Sequence, residues 1–149
     1  MRAIVQRVSE ARVEVEEGRV VGSIGRGLMA LVGFAPGDEE ADLDYITRKI
    51  VDLRIFEDAE EKMNLSVRDV GGALLLVPNF TIHADCRRGR RPSFTGAAPP
   101  EQARVLFERF LALTRTLGVP VEAGEFGAHM HVSLINDGPV TVILDSKTD

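Results

Sequence analysis

Cysteine occurs once in the 149 residues, as Cys86, and tryptophan not at all. A single thiol forms no internal disulfide, which excludes the cross-linked framework of a small secreted scaffold. A chain of this length needs none, because it buries roughly two thirds of its unfolded surface on folding. Long apolar runs are missing too. Neither Gly27 to Ala35 nor Ala73 to Val77 with its flanks approaches the roughly eighteen residues of a membrane-spanning helix. The opening Met1-Arg2-Ala3-Ile4-Val5-Gln6-Arg7 holds no apolar segment of signal-peptide length. These absences lead to the expectation of one domain, residues 1–149, in the cytoplasm and off the membrane.

An excess of positive charge is also lacking. The net charge is -5, whereas a protein that coats nucleic acid through bulk electrostatics is strongly basic. The local distribution differs from the total. Cys86-Arg87-Arg88-Gly89-Arg90-Arg91-Pro92 sets four arginines into five positions, while acids are spread over Glu10 to Glu17, Asp38 to Asp44 and Glu57 to Glu61. Such a loop can grip a small anionic group, or it is simply a solvated basic surface.

Hydrophobic periodicity gives the order of elements. Ala3 to Val8 and Arg12 to Glu16 alternate with β-branched residues, and Glu17-Gly18-Arg19 turns the chain into Val20-Val21, which predicts a hairpin. Gly27 to Ala35 is nearly all apolar and ends at Pro36-Gly37, so it reads as a buried strand. Asp38 is the expected N-cap of a helix whose Leu43, Ile46, Ile50 and Leu53 recur every three or four residues. Gly71-Gly72 precedes another buried strand at Ala73 to Val77, extended through Pro78 to His83, with Pro78 at a strand end, edge or bulge because it has no N–H. Pro99-Pro100 opens a second helix with Leu106, Phe107, Phe110, Leu111, Leu113 and Leu117 on its apolar face, stopped by Gly118. Met130 to Leu134 and Val140 to Leu144 are strands separated by a turn at Asn136 to Pro139. The expected class is mixed α/β: β-rich, with two main helices on one side of a mixed sheet.

Three constellations could carry chemistry. His83-x-x-Cys86 and His129-x-His131 supply ligand types that zinc accepts, without a recognised ligand spacing, and the reading adopted is no metal. Thr81 or Ser93 could serve as hydroxyl nucleophile, with His83 on the same strand face as Thr81 and Asp85 to orient it, although no Gly-x-Ser-x-Gly elbow is present. Asn136-Asp137-Gly138-Pro139 is, from residue chemistry alone, a turn.

Taken together, these stretches resemble the D-aminoacyl-tRNA deacylases, also called D-Tyr-tRNA deacylases, over the whole chain. The first strand Met1 to Val8, the Asn79-Phe80-Thr81-Ile82 and Gly89-Arg90-Arg91-Pro92-Ser93-Phe94 segments, Phe126-Gly127-Ala128-His129-Met130, and Asn136-Asp137-Gly138-Pro139-Val140-Thr141 are the residues that carry the likeness. The resemblance implies a homodimer of three-layer β/β/α sandwich subunits that hydrolyses the ester linking a D-amino acid, or glycine, to the 3′ end of tRNA, with no cofactor. It implies that Gly138 and Pro139, joined by a cis peptide, enter the partner's pocket and exclude L side chains. It assigns carbonyl polarisation to the backbone N–H groups of Phe80 and Thr81, with the Thr81 side chain as the second choice, assisted by the tRNA's own 2′-hydroxyl. It places Phe126 and Met130 beside the terminal adenosine and Arg87, Arg88, Arg90 and Arg91 near acceptor-stem phosphates. The family's Ser-Gln-Phe-Thr segment is here Pro78-Asn79-Phe80-Thr81, which removes a hydroxyl and a backbone donor and shortens an amide side chain. The alternatives are therefore a deacylase of altered selectivity and a catalytically impaired protein that binds the tRNA end.

Overall fold

The computed structural model describes residues 1–149. The chain begins with one long strand, β1 (Arg2–Val15), rather than two short ones. A single 3₁₀ turn at Glu16–Gly18 then leads into β2 (Arg19–Ile24), so the reversal falls where Glu17-Gly18-Arg19 predicts it. Next come β3 (Gly27–Gly33) and α1 (Glu40–Asp52), followed by the short strands β4 (Phe56–Glu57) and β5 (Met63–Leu65), which periodicity did not reveal. The rest of the chain forms β6 (Ala73–Pro78), α2 (Pro100–Arg115), β7 (Val121–Ala123) and β8 (His131–Asp145).

The sheet order is β2-β1-β3-β6-β7, with β8 on the other edge of β1. β1 pairs antiparallel with β3 through Arg2 to Val8 and with β2 through Ala11 to Val15, while β8 pairs along its whole length. β3 and β6 are parallel, as are β6 and β7. Parallel strands covered on both faces need apolar residues at consecutive positions, which accounts for Leu28-Met29-Ala30 and Leu74-Leu75-Leu76. Leu28, Ala30, Leu74 and Leu76 enter the larger core with Leu43, Ile46 and Ile50 of α1 and Phe107 and Phe110 of α2. Met29, Leu75 and Val77 point to the other face and meet Val8, Ala11, Val13 and Ile24.

The N-cap of α1 is Glu39, which forms a capping box with Asp42, and not Asp38. Asp38 has stronger partners. Its carboxylate pairs with the buried Met1 ammonium at 2.7 Å and accepts the Ala35 N–H at 2.7 Å, closing the Pro36-Gly37 turn. Where α1 meets α2, the buried Thr114 hydroxyl donates to the Phe110 carbonyl at 2.8 Å, leaving the Thr47 hydroxyl as donor in their 3.4 Å contact.

Asn136 to Pro139 is not a reversal between two strands. Register passes from Gln6↔Thr141 to Val8↔Asn136, so two steps along β1 match five along β8, and the surplus is extruded as a bulge. Asn136 closes its neck: Oδ1 accepts the Val140 N–H at 2.7 Å, and Nδ2 donates to the Thr141 hydroxyl at 3.0 Å.

Phe110 is fully buried and anchors α2 to the sheet. Phe110→Ala is expected to lower unfolding free energy by about 3–5 kcal/mol, read as a lower midpoint in denaturant with an unchanged slope.

Candidate active site at the ends of β3 and β6

A cavity of about 760 Å³ opens beyond the carboxyl ends of the parallel pair. Leu31 to Phe34 of β3 and its exit line one wall, and Val77-Pro78-Asn79-Phe80-Thr81 line the next. Phe94 and the Ala97 to Ala103 segment form the side toward α2, and Phe126 to Met130 complete it. Pro78, Asn79, Phe80, Thr81, Phe126 and Met130 are thus brought together. Gly33, Phe34, Ala98 and Ala103 are lining residues that the sequence did not single out, and His129, considered there as a metal ligand, lines the cavity as well. None of the lining residues carries a formal charge, and His129 is the only titratable one.

Pro78 sits at the last position of β6, opposite Val32, where its missing N–H leaves no gap inside the ladder. The next residues do not continue the strand. Phe80–His83 is a 3₁₀ turn with Asn79 as its N-cap, so the expectation of Thr81 and His83 on one strand face is overturned. Asn79 Oδ1 accepts both the Thr81 N–H at 3.1 Å and the Thr81 hydroxyl at 2.6 Å. Because both of those are donors, the carbonyl end of the Asn79 amide must face Thr81, which turns its NH₂ end away. The Thr81 N–H is therefore already engaged. The Phe80 N–H has no such side-chain partner, and the Phe80 ring is exposed, meeting Phe94 edge-on at 5.1 Å.

The Thr81 hydroxyl does not reach His83, so no nucleophile–base pair forms. His83 Nε2 is buried without a hydrogen-bond partner. Burial holds the His83 pKa below its ordinary value, a backbone hydrogen bond with Gly33 opposes the shift, and the charge of Arg2 adds to it. Nor do the four candidate metal ligands assemble: no cluster of three or more His, Cys, Asp or Glu side chains could hold an ion, and His129 meets His131 edge-to-face with centroids 5.4 Å apart.

The arginine loop is exposed and stands outside the cavity, linked to it through Phe94. Arg87 is occupied. It forms side-chain hydrogen bonds to Asp85 at 2.9 and 2.8 Å, which with its backbone N–H hold the Asp85 carboxyl at about 2. Arg88, Arg90 and Arg91 are exposed and form no ion pair within the chain.

Gly138 and Pro139 do not line the cavity of their own chain. Both are exposed at the tip of the β8 bulge, and the bond between them is cis. Gly138 adopts φ +150, and a Cβ there would lie 2.7 Å from the Val140 nitrogen and 2.8 Å from its Cγ2. Behind the bulge stands Arg7, which the sequence reading passed over. It takes an inward position of β1, is 6% exposed, and donates to the carbonyls of Asp137 and Ile55, each at 2.8 Å.

Residues 4–145 match the model of the D-Tyr-tRNA(Tyr) deacylase family. The chain belongs to this family. It is 58% identical over 147 residues to the D-aminoacyl-tRNA deacylase of Thermotoga petrophila, covering 99% of this chain and 98% of that one. The D-aminoacyl-tRNA deacylase of Desulfatibacillum aliphaticivorans is 56% identical, with 99% and 100% covered. A solved structure described as a c-Myc DNA unwinding element binding protein superposes with a TM-score of 0.92 at 40% identity, covering 97% of this chain and 98% of that one. The deacylase family is one of enzymes, and the fold of this chain is that of its members. No helix is long and apolar enough to cross a membrane.

His83 supplies a test of the packing under the site. Its pKa is depressed by folding, so the folded state favours the neutral ring and loses stability as pH falls from the ordinary histidine value near 6.5 through the lower folded value. Thermal melts at pH 7.5 and 5.0 should show a lower midpoint at pH 5.0, and His83→Gln should narrow the difference.

Proposed function

We propose that this chain hydrolyses the ester of D-aminoacyl-tRNA, and of mischarged glycyl-tRNA, sparing L-aminoacyl-tRNA. The observation that carries the reading is the uncharged cavity into which Asn79, Phe80 and Thr81 are turned by the 3₁₀ bend after β6. An aminoacyl ester is already reactive, so alignment and carbonyl polarisation supply the required acceleration without a strong protein nucleophile. The Phe80 N–H and the outward NH₂ of Asn79 are the donors assigned to the carbonyl oxygen. Water forms the new bond to the carbonyl carbon, the bond to the ribose 3′-oxygen breaks, and that oxygen leaves with a proton. The neighbouring 2′-hydroxyl is the group placed to relay it. Thr81 is a poor nucleophile in this setting, because its hydroxyl donates to an amide oxygen that cannot act as base at neutral pH.

Chiral selection is assigned to Gly138 and Pro139 of a second subunit, since their own chain holds them away from its cavity. The proposed assembly is a homodimer of single-domain, three-layer β/β/α subunits. The separate apolar cores on the two faces of β3 and β6 support the layering, and exposed Ile135 and Ile143 on β8 supply apolar surface for a partner. Phe126 and Met130 are assigned to the terminal adenosine, and Arg88, Arg90 and Arg91, with Arg87 once released from Asp85, to tRNA phosphates. The proposed setting is the cytoplasm, and no cofactor takes part.

The deciding experiment compares deacylation of D-Tyr-tRNA, Gly-tRNA and L-Tyr-tRNA at low enzyme concentration, with Pro78→Ser/Asn79→Gln in parallel. Turnover of the first two with the third spared is expected; no turnover before serine and glutamine are restored would leave a tRNA-end-binding protein instead. Asn79→Ala should reduce kcat about tenfold or more with a smaller change in KM, the signature of a lost carbonyl donor. Gly138→Ala, whose Cβ has no room, should raise L-Tyr-tRNA cleavage relative to D-Tyr-tRNA, and sedimentation should show a dimer.

A further inference from the structure

The cavity contains no charge, yet every nucleotide of the proposed substrate carries one on its phosphodiester. A cation must stand at the rim if the last such linkage, immediately 5′ of the esterified adenosine, is to be held. Arg104, in the first turns of α2, occupies that place. Its guanidinium carbon lies 4.8 Å from the centroid of the Phe126 ring, and Nη2 lies 3.5 Å from where a Cβ on Gly127 would be. Phe126 and Gly127 both line the cavity, as does Ala103, the residue before Arg104. The guanidinium is not committed elsewhere. Its one ion-pair partner is Glu101, at 3.9 Å and with a side chain 90% exposed, a geometry in which an ion pair contributes little. The Arg104 side chain itself remains 45% exposed.

Resting on the deacylase reading, we propose that Arg104 is an RNA-binding residue that pairs with the terminal phosphodiester while its stacked face holds Phe126 against the adenosine. A guanidinium suits both tasks, because its plane lies on an aromatic ring while its edge donates to phosphate oxygens. The arginine loop meets the cavity at Phe94, and Arg104 meets it at Phe126. The two cationic rims therefore flank the wall running from Phe94 to Ala103, and Arg104 is the one placed to read the linkage nearest the reacting ester.

The test uses two substrates of the full-length protein: D-Tyr-tRNA, and the D-tyrosyl ester of adenosine, which has no 5′ phosphodiester. Arg104→Gln is expected to lower kcat/KM for the tRNA about fivefold more than for the nucleoside ester, mainly through KM. Its salt dependence should weaken by about 0.7 in the slope of log kcat/KM against log salt, the loss of one single-strand phosphate contact. Arg104→Lys should restore most of the preference, and Arg115→Gln, at the far end of the same helix, should alter neither substrate. Equal losses on both substrates would reduce Arg104 to a structural support of Phe126 and overturn the proposal, as would no loss on either. If the unaltered protein hydrolyses neither substrate, the deacylase reading fails separately. Equilibrium binding of a CCA-ended RNA hairpin that carries no aminoacyl group then decides, with weaker, less salt-dependent binding by Arg104→Gln supporting the contact and equal binding overturning it.

Discussion

The structure depends on the mismatch between β1 and β8. These strands pair from Arg2↔Asp145 to Glu14↔His131, yet β8 has more residues than β1 can match between Gln6 and Val8. A ladder with surplus on one side must expel it, and expelled backbone must satisfy its polar groups by other means. Asn136 bonds across the neck of the bulge, and Arg7 takes up the Asp137 carbonyl from behind. A buried arginine at an otherwise apolar position of β1 is the cost of holding Gly138 and Pro139 out from the sheet. A second register shift, between Val8 and Glu10, lies where β1 passes from Ala3 and Val5, in one core, to Ala11 and Val13, in the other.

The cavity follows from the parallel pair that β1 leaves at its other side. β3 and β6 end together, and both chains must diverge there, one through Gly33-Phe34 and one through Pro78-Asn79. Crevices beyond the carboxyl ends of parallel strands recur as ligand sites for this reason. Gly33 is required by closeness: a Cβ would lie 2.7 Å from Ile82 Cγ1 and 2.9 Å from the Asn79 carbonyl. The 3₁₀ turn packed over it then presents Phe80 and Thr81 to the cavity. Positive charge stays outside, in the arginine loop and at Arg104, so a neutral interior is surrounded by groups suited to a polyanion.

Much of the fold was legible. The apolar runs at Leu28 to Val32 and Leu74 to Val77 are strands because burial on both faces leaves no polar position, and the three-to-four spacing in α1 marks its buried side. The end of β6 was misread, since Thr81-Ile82-His83 alternates like a strand. Its departure comes from Asn79, whose side chain takes the Thr81 N–H and favours a tight turn over an extended chain. Asp38 looked like a cap because its residue type suits that role, but a buried ammonium 37 positions away is a stronger partner than a helix N–H. Arg7 was missed because nothing local distinguishes a buried arginine from an exposed one.

By itself the sequence determined element types, the two helices with their inward faces, the uncharged Asn79-Phe80-Thr81 segment and the family, because these follow from local periodicity and from residues adjacent in the chain. Tertiary structure alone decided that the Arg7 donors are taken by the Asp137 and Ile55 carbonyls, that Gly138 and Pro139 lie outside their own cavity, and that Arg104 lies over Phe126. Each of these depends on an angle or a register set by packing between segments distant in sequence, and a hydrogen-bond donor is defined by what it meets as much as by what it is.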